Sequence, residues 1–416
     1  MKSEEKIMLK RLLTHACNNV PYYKKKINSE TVECLSDETW NSIPVLTKNE
    51  VRKCGDELLS ENVNLSELKQ EVTSGSTGIP LTIYKSCMDE LCAGKQMWKI
   101  RTQVYGIRPN DRWCRFCNLR MKNANSEYKK VEVNKHEIKL SSVDFSDEDI
   151  QEYYNVLCEE QPKWIFGPPS GLFIIANYLL EHLLPKIESI KYIEITGEYH
   201  TEEMRQTIKK AFGCEVASMY GLRESYGVAI QCPDGKMHLL DKNVYFDVLN
   251  EKGEPVGDGE SGKIFITTLN NTAMPFIKYE TGDLGRVYRN YTCKCGLDSP
   301  IIELESGRTS DFVMLENNRK LNAAIFAQIV MNINYKFSNS NSLIAQFQVE
   351  QSSLNEFNVY FCVNANEQEK EYIKAEFLYL ANKGIQEGLT WNLEFVDKIL
   401  PSEKTGKTKN FIRNIE

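Results

Sequence analysis

The feature that most constrains this fold is a change of texture along the chain. Upstream of residue 230, helical periodicity and short β-rich runs take turns; downstream, strands follow strands. Ile7, Met8, Leu12, Leu13 and Ala16 recur at helical spacing and predict an opening helix that ends near Pro21. Further helices are predicted over Leu91–Val104, Glu148–Leu157 and Leu172–Leu184, the last with Pro168-Pro169 as its start signal. Among these helices, Lys191-Tyr-Ile-Glu-Ile-Thr-Gly197 reads as a strand ended by glycine. Such alternation predicts a layered α/β core. Asn243–Leu249 and Gly262–Leu269 then read as a hairpin around a Gly/Glu/Asp loop.

Past Gly307 the texture changes again. Helix is predicted over Leu321–Met331 and Glu367–Asn382, and strand over Ile344–Val349, Phe357–Val363 and Leu393–Val396. That makes a compact α+β unit of common domain size. The chain is therefore expected to divide into a large α/β N-terminal domain with a β-rich portion, residues 1–308, and a small α+β C-terminal domain, residues 309–416.

Composition removes several function classes. Lys plus Arg total 51 against 58 Asp plus Glu, a net charge of -7, which argues against a nucleic-acid partner because such affinity depends on basic residues displacing counterions. The longest apolar stretch, Gly171–Leu180, falls short of the ~20 residues a membrane helix needs, so no membrane partner is expected. Met1–Asn19 has no apolar signal core, and 13 cysteines is an odd number; a cytoplasmic location with reduced thiols is expected.

The sharpest local feature is Thr73, Ser74, Gly75, Ser76, Thr77 and Gly78, followed by Ile79-Pro80. Small and hydroxylated residues in succession give a turn whose N–H and O–H groups can surround phosphate oxygens. Taken alone, a plain surface loop is the commoner use of such a run. The Gly-Lys-Ser/Thr ending of a P-loop is missing.

Four further segments occur in order: Tyr220-Gly-Leu-Arg-Glu224, Tyr279-Glu-Thr-Gly-Asp283, Gly307-Arg-Thr-Ser-Asp311, and Thr405-Gly-Lys407 after Pro401. With the hydroxyl-rich run, this series resembles the motifs of the adenylate-forming superfamily. Val20-Pro-Tyr-Tyr23 and Ile43-Pro-Val-Leu-Thr-Lys48 are similar to the phenylacetate-CoA ligase branch and the CapK-like proteins of polysaccharide biosynthesis. The resemblance implies a ligase with a nucleotide-binding N-terminal domain and a mobile C-terminal domain. It implies ATP, Mg2+ and CoA, and a small aromatic carboxylic acid as substrate. A homodimer is left open, and the same motifs serve an enzyme that passes the acyl group to an amine or a carrier protein. A non-catalytic nucleotide-binding relative is the remaining alternative.

Roles carry over residue by residue. Thr73 to Gly78 would hold the β and γ phosphates, Gly197, Glu198, Tyr220, Gly221 and Arg223 would contribute to the nucleotide site, and Tyr220 would lie against adenine. Glu224 would coordinate Mg2+, a hard cation that takes oxygen ligands. Asp283 and Arg308 would meet the ribose, Asp311 matches the hinge, and Lys407 would place positive charge beside the α-phosphate. Read without the family, Glu224 is a solvated carboxylate, Asp311 a loop aspartate and Lys407 an exposed loop lysine.

Two features stand apart from that series. Cys232 and His238 lie on one turn-forming segment and Cys293-Lys-Cys295 on another; together they would complete a tetrahedral Cys3His zinc site, although the spacing is not that of a standard finger and four unrelated residues is the other reading. Some ligases of the branch carry zinc at comparable positions, and that resemblance implies a structural Zn2+ here. The second feature is a departure: Arg223 stands where the family has Thr or Ser beside the α-phosphate, and Arg112, Arg115, Arg120 and Lys122, interspersed with Trp113 and Phe116, replace a glycine-rich acyl-pocket segment. Surface basic residues are the expected reading of that run, and Cys114-Arg-Phe-Cys117 reads as core strand. His136, His182 and His200 have no motif around them.

Overall fold

The computed structural model describes residues 3–72, 81–117, 129–142, 147–197, 200, 202–304, 312–316, 320–337, 343–363, 365–386, 388–397, 399 and 410–415. Helices α1 (Ser3–Asn19), α2 (Pro21–Lys26), α3 (Ser29–Glu33), α4 (Asp37–Ser42) and α5 (Lys48–Cys54) come first, then the antiparallel pair β1 (Lys69–Val72) and β2 (Thr82–Lys85). Capping boxes start α4 at Ser36 and α5 at Thr47, satisfying the first free N–H groups of helices too short to persist alone.

The alternating stretch follows: α6 (Cys87–Tyr105), β3 (Trp113–Cys117), β4 (Val131–Val133), β5 (Glu137–Ser141), α7 (Asp147–Glu160), β6 (Trp164–Gly167), α8 (Pro169–Glu181), β7 (Tyr192–Thr196), α9 (Glu202–Phe212) and β8 (Glu215–Leu222). α6 begins at a Ser86/Asp89 capping box and stops where Gly106 turns left-handed at φ 67°. α8 starts at Pro169 as its sequence signal predicts, but ends at Glu181, short of Leu184, and Leu183 has a φ of 51°. The strand-rich stretch comprises β9 (Tyr226–Gln231), β10 (Met237–Leu239), β11 (Val244–Leu249), β12 (Gly262–Thr268), β13 (Tyr279–Tyr288) and β14 (Ile301–Leu304). The expected hairpin is β11 and β12, paired antiparallel.

Twelve of these strands join one sheet in the order β11-β12-β13-β14-β10-β9-β8-β7-β6-β3-β5-β4. Its β8-β7-β6-β3-β5 run is parallel, and the direction changes between β8 and β9. The parallel part shares a core with the helices that cross it, including Ile150, Leu172, Ile193 and Ile208. Within it, Cys114 and Phe116 are buried, as expected of a core strand. The antiparallel part shares a second core with α1 to α5, running from Leu9, Trp40 and Leu58 to Phe246, Phe276 and Tyr279. Trp40 Nε1 donates to Asp247 Oδ2 at 3.2 Å, and the buried Lys278 ammonium donates to the Trp40, Asn41 and Ile43 carbonyls at the C-terminal end of α4. A cation there offsets the helix dipole and pins the helical layer to the sheet.

The last stretch holds β15 (Phe312–Met314), β16 (Lys320–Asn322), α10 (Ala324–Phe337), β17 (Ile344–Gln351), β18 (Glu356–Val363), α11 (Glu367–Gly384), β19 (Thr390–Phe395) and β20 (Phe411–Arg413). It has its own sheet, β19-β18-β17-β20, and its own core around Phe326, Phe357, Phe361 and Phe377. The architecture is thus a large mixed α/β N-terminal region with a small α+β C-terminal one. One expectation is corrected: Leu321 is not the start of a helix, because it pairs with Val313 in the β15/β16 hairpin, and α10 begins only at Ala324. The expected boundary between residues 308 and 309 lies outside the described residues.

Candidate nucleotide site

The candidate site is assembled where the sheet changes direction. β8 and β9 are joined by a three-residue turn, Arg223-Glu224-Ser225, closed by the Ser225 N–H to the Leu222 carbonyl and followed by Tyr226 at φ 73°. A short turn ending in a left-handed residue is a standard way to connect antiparallel strands. It sends adjacent side chains in different directions. Glu224 is 4% exposed and accepts a hydrogen bond from the Tyr279 hydroxyl at 2.7 Å, whereas Arg223 is 64% exposed, with Nη1 3.9 Å from Glu71 Oε2. Gly221 permits the crossing, because a Cβ there would sit 2.7 Å from the Tyr226 carbonyl oxygen.

Asp283 is brought in by a bulge. Lys263 pairs with Leu284 but Phe265 pairs with Glu280, so Ile264 alone opposes residues 281 to 283, with Gly282 at φ 85°. The Thr281 hydroxyl donates to the Ile264 carbonyl and accepts from the Asp283 N–H, which fixes the extra residues. Asp283 Oδ2 then accepts from the Tyr220 hydroxyl at 2.7 Å. Alternation along β13 places Tyr279, Thr281 and Asp283 in buried positions, which is why the first and last residues of that motif serve one place.

Gly197 ends β7 with φ 87°, and its neighbour Thr196 lies opposite Met219, one residue from Tyr220. The structure therefore brings together Gly197, Tyr220, Gly221, Glu224 and Asp283, with Arg223 at the margin. Thr73, Ser74, Gly75, Ser76, Thr77, Gly78, Glu198, Arg308, Asp311 and Lys407 lie outside the described residues, as do Arg120 and Lys122. The strands on either side of the hydroxyl-rich run pair antiparallel, Val72 with Thr82. Sequence reasoning assigned no role to Tyr279, Glu71 or Lys85; the first opens a quoted motif, and the other two have no local signal. Of the basic run, Arg112 pairs with Glu160 and Arg115 with Glu137, so these two are half-buried partners of acidic residues.

The four cysteine and histidine residues also converge. Their donor atoms all lie within 4.8 Å of one another. Cys232 Sγ is 3.8 Å from Cys293 Sγ, and Cys295 Sγ is 3.2 Å from His238 Nε2. Two thiolates each ~2.3 Å from a tetrahedral zinc lie ~3.8 Å apart, so the donor set fits that ion. Burial pushes the Cys232 thiol up to about 12 and holds His238 below the ordinary imidazole value. The His238 Nδ1 is 3.2 Å from Ser299 Oγ, leaving Nε2 toward the thiols. The cluster joins the β9/β10 turn to the segment before β14, a strand length or ~20 Å from the Glu224 turn.

Residues 72–274 match the AMP-binding enzyme family. The chain is 24% identical to Protein CapK of Staphylococcus aureus over 379 residues, 90% of this chain and 80% of that protein. Residues 72–274 are thus an AMP-binding domain of the adenylate-forming superfamily. As an adenylate-forming enzyme the chain is an AMP-forming ligase, and its relatives include the phenylacetate-coenzyme A ligase of Escherichia coli, 25% identical over 67% of this chain and 65% of that one. Among solved structures, 2-hydroxyisobutyryl-CoA ligase in complex with 2-HIB-AMP and CoA has the same fold, with a TM-score of 0.64, 18% identity and coverage of 99% of this chain and 89% of that chain. No helix among the described residues is long and apolar enough to cross a membrane.

Proposed function

We propose that this adenylate-forming enzyme activates a small aromatic carboxylic acid with ATP and transfers the acyl group to CoA. The observation that carries the reading is the double convergence of Tyr220 on Asp283 and Tyr279 on Glu224, each at 2.7 Å. Asp283, oriented by Tyr220, accepts from the ribose hydroxyls together with Arg308, while Tyr220 and Gly197 border the adenine. Residues 73–78 hold the β and γ phosphates. Glu224 is the carboxylate for Mg2+, which supplies charge neutralisation of the polyphosphate when bound. Lys407 places a cation beside the α-phosphate as a substrate carboxylate oxygen bonds to phosphorus and pyrophosphate leaves. The CoA thiolate then bonds to the acyl carbon, and AMP departs.

Residues 1–308 and 309–416 form the two domains in this reading, with Asp311 at the hinge, where a few backbone changes absorb a rotation. The Cys232, His238, Cys293 and Cys295 cluster holds a structural Zn2+, since four protein donors leave no open position. A cytoplasmic setting suits its reduced thiols.

A second acceptor has support of its own. The match to Protein CapK spans 90% of the chain, against 67% for the E. coli phenylacetate-coenzyme A ligase. Transfer to an amine or a carrier protein is accordingly the second reading. Pyrophosphate exchange over a panel of carboxylic acids, with and without CoA, tests both. Exchange with an acid and CoA-dependent AMP release supports the first reading; exchange without any thioester supports the second. Unchanged exchange in Lys407→Ala would remove that lysine from the chemistry.

A further inference from the structure

Glu71 is a carboxylate on which three cations meet. Its oxygens lie 3.0 Å from Lys69 Nζ, 3.2 Å from Lys85 Nζ and 3.9 Å from Arg223 Nη1. The two lysines face each other directly in the β1/β2 register, and Glu71 sits two residues before Thr73. Arg223 reaches it from the β8/β9 turn, one residue before Glu224.

The three cations are held unequally. The Lys85 side chain is 4% exposed, so its ammonium depends on Glu71 for a counter-charge. Lys69 has a second partner in Glu90, at 2.7 Å. Arg223 is mostly in solvent and at the outer limit of pairing, where an ion pair contributes little. Glu71 is thus largely neutralised by lysines before Arg223 arrives, and burial notwithstanding, Lys85 and Lys69 hold its carboxyl below the usual range. A guanidinium held this weakly leaves readily for an anion of higher charge whose planar edge it can grip in two places.

We propose that Glu71 is a holding counter-ion from which Arg223 transfers to the polyphosphate of a bound nucleotide. Lys85 keeps Glu71 neutralised after the transfer. Because its guanidinium extends to Glu71, two residues before the run read as holding the β and γ phosphates, Arg223 acts beyond the α-phosphate that a Thr or Ser would meet: it engages ATP and inorganic pyrophosphate, and it returns to Glu71 when only AMP remains. This rests on the nucleotide reading of the site. Glu71 is a positioning residue that acts through Arg223.

The test is calorimetric binding of MgATP, inorganic pyrophosphate and AMP to the full chain and to Arg223→Gln, Glu71→Gln and the double variant. Arg223→Gln is expected to weaken pyrophosphate and MgATP roughly tenfold and to leave AMP unmoved. Glu71→Gln is expected to tighten pyrophosphate roughly threefold, and that gain is expected to vanish in the double variant. Should Glu71→Gln fail to fold because Lys85 is left buried and unpaired, Arg223→Lys carries the test. It keeps the charge but loses the fork, so an affinity between wild type and Arg223→Gln supports the transfer. Equal loss for AMP and pyrophosphate, no loss in Arg223→Gln, or a Glu71→Gln gain that survives without Arg223 would overturn it. A wild-type chain that binds none of the three ligands overturns the nucleotide reading as well.

Discussion

The Tyr220 hydroxyl donates to Asp283 Oδ2 at 2.7 Å although β8 and β13 are four places apart in the sheet. Four steps across a flat sheet would separate them by about 19 Å. The antiparallel part must therefore curl back on itself, and one closing contact records the curl. Asn243 Nδ2, one residue before the edge strand β11, donates to the Ser225 and Gly227 carbonyls at the start of β9. Bulges at both ends of the pair, beside Tyr220 and at residues 281 to 283, aim the two side chains across the gap.

Removing the strut should therefore affect nucleotide binding before chemistry. Tyr220→Phe leaves Asp283 without its hydroxyl partner, and KM for ATP in pyrophosphate exchange should rise roughly fivefold with kcat little changed. A fall in kcat at constant KM would contradict the ribose assignment.

Tyr279→Phe is the corresponding change for Glu224. Losing the 2.7 Å hydrogen bond lets the buried carboxylate reorient, and the Mg2+ concentration for half-maximal exchange should increase roughly threefold or more. A magnesium titration of both proteins at saturating ATP decides the matter.

For the cysteine cluster, metal analysis of protein purified without added zinc should give about one equivalent. His238→Ala should lose the metal and melt at a lower temperature, while Ser299→Ala should keep it with weaker affinity, roughly tenfold or more in a chelator competition. Less than about a tenth of an equivalent in the wild-type protein would sink the zinc assignment.

A pH effect on stability should come from Asp247. Burial raises its carboxyl to about 6, against the opposing pull of Lys278. The folded state thus binds a proton that the unfolded state has already released, so this contribution is complete below about pH 4 and disappears as pH rises through about 6. Asp247→Asn keeps an oxygen facing Trp40 Nε1 without the ionisation. Urea unfolding between pH 4 and 7 should show wild type losing stability relative to the variant, by about 2 kcal/mol in all. Parallel curves would disprove it.

Local order was legible in the sequence. The opening helix, α6, β7 and the β11/β12 hairpin follow from periodicity, capping residues and turn residues within a few positions of each element. Tyr220, Glu224 and Asp283 were legible as candidates because each sits in a short motif. Their meeting was not, since it depends on how far the sheet curls, which is a property of many strands. Glu71 and Lys85 carried no signal for the same reason: Arg223 reaches Glu71 only once the β8/β9 turn lies over β1. Leu321 was misread because one apolar residue before a helix suits a strand end equally well, and its partner Val313 decides.

The curl also has a consequence in time. The core of the parallel part is complete by Val216, so that lobe can consolidate while the chain is still being made. Tyr220 then waits 63 residues for Asp283. At translation rates of roughly 5 to 20 residues per second, that interval lasts several seconds, during which the parallel core is complete in sequence and Asp283 is not yet made. A chain ending between β8 and β13 would hold the residues of the parallel core, but α1 to α5 would lack the strands they pack against and Asp283 would be missing. On the proposed assignment, nucleotide binding would report that the second half of the sheet has closed.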